Sequence, residues 1–205
     1  MSQNRSTAVM QRRVEAHDSL DDFPTPPWAT RALCEHVIDQ SDYHGKEVWE
    51  PCCNRGYMAR PLGEYFGSVH ATDVHDYGYQ NHSETIDFLF AERETDWVIT
   101  NPPFRLAERV IDHALKQARI GVAVIVRSAF LEGKGRYENL FSVNPPSIVA
   151  QFVERVPMVK GRYDPEATTA TSYAWLVWRK GHQLRPEMFW IPPCRKKLEW
   201  EGDAQ

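Results

Sequence analysis

"DWVITNPPF", residues 96–104, joins a short apolar run to two consecutive prolines. Trp97, Val98 and Ile99 favour a pleated, buried environment and predict a strand ending at Thr100. Pro102 and Pro103 remove two backbone donors, so no ladder continues through them. Asn101 and Phe104 bracket the prolines with an amide and an aromatic ring. A second triplet, Asn144-Pro145-Pro146, serves as a control: it follows a predicted helix and has Ser147 in place of the ring, so it reads as a turn.

Outward from this stretch the chain alternates between strand and helix patterns. Upstream, Thr25-Pro26-Pro27 opens a helix at the position where proline is best tolerated, and Ala29, Leu33, Val37 and Ile38 follow at helical spacing. Strands are predicted at 46–50, 69–74 and, weakly, 85–88, with a helix over 58–66. Downstream come a helix over 106–118, a β-branched strand at 122–126, a short helix near 137–141, and strands at 148–153 and 173–178. Strands separated by helices imply parallel βαβ units and a doubly wound α/β sheet. Residues 1–22 are polar and aperiodic, which predicts a flexible arm. Residues 23–180 form one predicted domain, and 181–205, with Pro192-Pro193 and Arg195-Lys196-Lys197, read as an irregular tail.

The 205 residues suffice for one domain with a single core. A net charge of −4 argues against a globally basic coat, though not against a local basic groove. The N-terminus has no apolar signal-peptide core, and no stretch approaches the roughly 20 apolar residues of a membrane span. A cytoplasmic protein with no membrane partner is therefore expected. Cys34, Cys52, Cys53 and Cys194 form no C-x-x-C pair, and the eight histidines lack a ligand spacing, so no metal site is expected.

In doubly wound sheets ligands bind beyond the carboxyl ends of the strands. The first predicted strand ends in Glu50-Pro51-Cys52-Cys53-Asn54-Arg55-Gly56, the second in Asp73, the third in Asp87-Phe88, and the fourth in Asn101-Pro102-Pro103-Phe104. Gly56 and Asn54 tolerate the left-handed backbone that a tight β–α turn needs. Glu50 can accept from a cationic group, Asp73 from ribose hydroxyls, and Asp87 from an exocyclic amine, with Phe88 as a stacking ring. Each alone also reads as an ordinary turn or strand end. At the fourth end, the Asn101 side-chain oxygen and the Pro102 carbonyl can converge on one NH₂ group. Proline makes that geometry rigid, and Phe104 can stack on the ring carrying the amine.

The ordered set resembles class I S-adenosylmethionine-dependent methyltransferases of the DNA adenine-N6 type, most closely over residues 23–130. Phe23-Pro24-Thr25-Pro26-Pro27 is similar to that family's N-terminal motif near the methionine moiety. Glu50 to Gly56, with Pro51 and Cys52, is similar to its E-P-x-x-G-x-G cofactor motif, Asn54 standing at the first glycine. Asp73, Asp87 and Phe88 match its ribose and adenine contacts, and Asn101 to Phe104 its N-P-P-[FY] catalytic motif.

The resemblance implies a Rossmann-like, mostly parallel seven-stranded sheet with an antiparallel last strand, and S-adenosylmethionine as cofactor. It also implies methyl transfer to the N6 amine of adenine in DNA, single-stranded or duplex with a flipped base. Sequence specificity is expected to be limited, because no target-recognition domain is evident. Arg105, Lys134, Arg136, Lys160 and Arg162 are the candidate substrate contacts. RNA (guanine N2 or adenine N6) or a protein glutamine, and a non-catalytic binding module, are the alternatives.

Overall fold

The computed structural model describes residues 21–181 and 185–204; the expected arm over 1–22 lies outside them apart from Asp21 and Asp22. In chain order the elements are α1 (Pro27–His36), α2 (Gln40–Tyr43), β1 (Glu47–Glu50), α3 (Ala59–Leu62), β2 (Ser68–Asp73), β3 (Glu84–Thr85), β4 (Thr95–Thr100), α4 (Ala107–Gln117) and β5 (Ala118–Arg127). They continue with α5 (Lys134–Arg136), β6 (Ile148–Phe152), β7 (Tyr173–Arg179), β8 (Glu187–Ile191) and α6 (Arg195–Leu198).

One eight-stranded sheet has the order β3-β2-β1-β4-β5-β7-β6-β8. β1, β2, β3, β4 and β5 pair in parallel, and β7 runs antiparallel between β5 and β6. The strand order reverses between β1 and β4, the switch point at which such sheets open a crevice.

Alternation along the central strands builds two cores. Trp97 and Ile99 of β4 pack with Trp28 and Leu33 of α1 and Leu62 of α3 on one face. Val98 packs with Val110, Ile111 and Ala114 of α4 on the other. Those α4 residues, with Ala107, recur at helical spacing, so one stripe of the helix is buried.

Three expectations need correction. The weak strand at 85–88 shrinks to Glu84–Thr85 because the Asp87 side chain accepts from the Leu89 N–H at 3.0 Å and starts a 3₁₀ turn over Phe88–Phe90. The helix expected over 58–66 is only Ala59–Leu62, ended by the Gly63 N–H closing on Ala59 O.

The third concerns 181–205, whose described residues include a strand and a short helix. β8 adds an eighth strand, parallel to β6, so the antiparallel strand is not the last. Met188-Phe189-Trp190-Ile191 between Pro186 and Pro192 carries the strand signal. Beyond it, Asp203 is fixed by Arg31, whose guanidinium nitrogens reach Asp203 Oδ1 and Oδ2 at 2.8 Å each, Leu198 O at 2.7 Å and Glu64 at 2.8 Å. Trp200 lies 3.6 Å from the same guanidinium. A buried arginine requires such partners, and here all but Glu64 come from residues 198–203.

Candidate active site

Pro51 terminates β1, and the chain turns at once. Asn54 adopts φ +49°, the only left-handed non-glycine among the described residues. Its side chain accepts from the Arg55 N–H at 2.7 Å and donates to Asp22 Oδ1 at 2.7 Å, while its own N–H donates to Asp73 Oδ2 at 2.9 Å. Asparagine thus serves at the position that resembled a glycine. Gly56, at φ +79°, has no such substitute, because a Cβ there would lie 2.3 Å from the Tyr79 ring.

This turn floors a cleft at the switch point, where such sheets bind their ligands. Thr25, Glu50, Pro51, Cys52, Asn54, Asp73, Asp87 and Phe88 line it; Pro26 and Gly56 do not. Pro26 instead caps α1, its carbonyl accepting from the Ala29 N–H. Glu50 is 1% exposed, and its Oε2 has no hydrogen-bond partner among the described residues. Burial first, then the nearby Asp73, holds the Glu50 carboxyl well above the usual carboxylate range; the Ala59 N–H opposes them.

Thr25 Oγ1 is likewise buried without a partner. The Asp73 carboxyl is also raised by burial, against the N–H bonds it accepts from Asn54 and His75. Burial pushes the Cys52 and Cys53 thiols up, so they stay neutral, and the cleft's charge belongs to the carboxyls. Orphaned acceptors at one end and a carboxylate at a strand tip suit a ligand that brings a cation and hydroxyls.

Phe88 belongs to the cleft wall. Phe88 is 4% exposed, with ring centroids 4.9 Å from both Trp49 and His113 in edge contacts. The 3₁₀ turn that Asp87 caps sets Phe88 in the cleft wall.

A second, smaller cavity adjoins the cleft, and Asp21, Phe23 and Asn101 line both. Asn101 Nδ2 donates to Phe23 O at 2.9 Å and lies 3.7 Å from Met158 Sδ. That bond assigns the amide's orientation and leaves Oδ1, which makes no hydrogen bond among the described residues, to accept. Pro102 faces the second cavity and Pro103 the first. Phe104 is half exposed in the second cavity, its N–H donating to Asp21 Oδ2 at 2.7 Å. The segment 21–23 is held by the turn after β1 and by the 157–172 loop as well, since Asp22 also accepts from Arg55 at 3.0 Å and from the Gly161 N–H at 2.9 Å.

The five basic residues expected to meet substrate line neither cavity. Arg136 is the clearest correction. It donates to Glu108 at 3.1 Å and to the Phe130 and Glu132 carbonyls at 2.8 and 2.6 Å, and it stacks 4.0 Å from the Phe130 ring, so it braces the fold. Arg162 pairs with Asp164 at 3.1 Å, and Lys134 with Glu138 at 3.7 Å. Arg105 and Lys160 are exposed. Arg127, Met158 and Tyr173, which line the second cavity, were not singled out. Arg127 and Tyr173 close β5 and open β7 as register partners, and that strand-end position was the available signal.

Two solved structures share this architecture. The magnesium protoporphyrin IX methyltransferase from Synechocystis PCC 6803 with bound SAM has a TM-score of 0.52 at 15% identity, covering 74% of this chain and 79% of its own. The 23S rRNA methyltransferase ErmE has a TM-score of 0.50 at 14% identity, covering 76% and 68%. The fold is that of class I methyltransferases. At this identity the likeness extends to the fold alone, and no known family profile or curated protein sequence matches the chain.

In this methyltransferase fold the cleft lies at the carboxyl ends of β1 and β4. Among the described residues no helix is long and apolar enough to cross a membrane, and no group of three or more His, Cys, Asp or Glu is placed to hold a metal ion.

Proposed function

We propose that this protein is an S-adenosylmethionine-dependent methyltransferase acting on the exocyclic N6 amine of adenine in DNA. The observation that carries the reading is the Asn101 amide, tethered through Nδ2 to Phe23 O and presenting Oδ1 on the wall between two cavities. The cleft suits the cofactor: Glu50 Oε2 is a buried, unpartnered acceptor for an α-ammonium group, and Asp73 stands at the β2 tip for ribose hydroxyls. When bound, S-adenosylmethionine supplies an electrophilic methyl group.

The chain's own residues do the rest. Asn101 Oδ1 and the Pro102 carbonyl accept the two N–H bonds of the amine and turn its lone pair toward the cleft. Phe104 offers an exposed face to the base ring. Neither cavity contains a histidine or lysine, which accords with holding a weakly basic amine rather than deprotonating it beforehand. A base must leave its stack to reach this site, at a cost of a few kcal/mol that is smaller from a single strand.

The test is transfer of labelled methyl from S-adenosylmethionine to duplex DNA, single-stranded DNA, RNA and protein in parallel, with the product nucleoside identified. N6-methyladenine in DNA is the expected product. Label confined to RNA or protein would replace the substrate, and no label in any acceptor would remove the enzyme reading.

A further inference from the structure

The second cavity holds a cation that the proposed chemistry leaves unused. Arg127 is the last residue of β5 and lines the cavity together with Phe104. Its guanidinium carbon lies 5.5 Å from the Phe104 ring centroid. It makes no hydrogen bond or ion pair among the described residues. By contrast, Arg31, Arg55, Arg119, Arg136 and Arg179 each pair with a carboxylate. An arginine lining the same cavity as Asn101 and Phe104, with its side-chain donors unmatched among the described residues, is available to whatever enters.

We propose that Arg127 reads a ring nitrogen of the target base, N1 or N7, beside the amine held by Asn101 and Pro102. This rests on the base-methylation reading above. A base sandwiched between Phe104 and the guanidinium would need two van der Waals gaps of about 3.5–4 Å, or about 7–8 Å in all. The 5.5 Å observed is too narrow. A ring that stacks on Phe104 therefore moves the guanidinium to its edge. The ring nitrogens flanking an adenine N6, N1 on one side and N7 on the other, are both acceptors, and arginine offers only donors. Arg127 is thus a specificity-determining residue: it favours amines flanked by a ring acceptor and disfavours those flanked by an N–H.

The experiment pairs Arg127→Met with single-stranded oligonucleotides carrying adenine, 7-deazaadenine or 1-deazaadenine at the target position. With wild-type protein, one deaza base should lower kcat/KM by roughly 10- to 100-fold, the range of a hydrogen bond from a charged donor. Arg127→Met should lose a similar factor on ordinary adenine and nothing further on that deaza base, while its S-adenosylmethionine affinity by calorimetry stays unchanged. Equal sensitivity of wild type and variant to both deaza bases would overturn the proposal, as would wild-type indifference to both. Failure of wild type to methylate adenine at all is a different result, which removes the base-methylation reading itself.

Discussion

The Phe23 carbonyl accepts from Asn101 Nδ2 at 2.9 Å, joining residues 78 positions apart. The bond fixes which end of the amide faces the cavity. Asn101→Asp replaces that donor with a second acceptor opposite the same carbonyl. Turnover should fall by about 100-fold, the scale on which a preorganised polar contact acts in a reaction. Steady-state kinetics on the best acceptor, with S-adenosylmethionine affinity measured separately, checks this.

Glu50 combines two opposing roles. A buried carboxyl raised above its ordinary value of 4.5 binds a proton more tightly folded than unfolded. The stability it contributes is complete below the unfolded value and is lost as pH rises through the folded one. Glu50→Gln removes that loss. The variant should melt higher than wild type at neutral pH without cofactor, show a flatter pH dependence of melting, and bind S-adenosylmethionine at least tenfold more weakly. Thermal melts across pH, with and without cofactor, read both effects.

At Gly56 strain and space coincide. Alanine would adopt φ +79° and place Cβ 2.3 Å from the Tyr79 ring. A cost of about 1–3 kcal/mol is expected in denaturant unfolding. Tyr79→Ala in the same chain should recover the part due to overlap and leave the part due to φ.

The Arg31–Asp203 pair tests whether the chain's end belongs to the fold. Asp203 is 7% exposed. Asp203→Ala leaves a buried guanidinium with Glu64 and one carbonyl, and should destabilise the protein by about 3 kcal/mol. The same unfolding measurement reads it.

What the sequence disclosed follows physical range. Buried strands and an amphipathic helix write their periods locally, so β1, β2, β4, β5 and α4 were legible, as were the cleft residues Glu50, Asp73 and Asn101 at the strand tips. Ion pairs between distant residues leave no local pattern. The basic cluster holding Arg136 looked like a nucleic-acid contact because Glu108, 28 residues away, was not visible as its partner. Asp21 resembled part of a featureless arm because its bond to the Phe104 N–H spans 83 residues. The setting of Phe88 was not legible for a local reason: the Asp87 cap starts a 3₁₀ turn three residues past β3.

The central claim is that the Asn101 turn holds the amine while the Glu50 cleft holds the cofactor. Asn101→Ala separates them in one comparison: S-adenosylmethionine binding by calorimetry beside labelled methyl transfer to single-stranded DNA. Transfer should fall below about one-hundredth of wild type with the cofactor dissociation constant within about threefold. Parallel loss of binding and transfer would make Asn101 a structural residue and contradict the account.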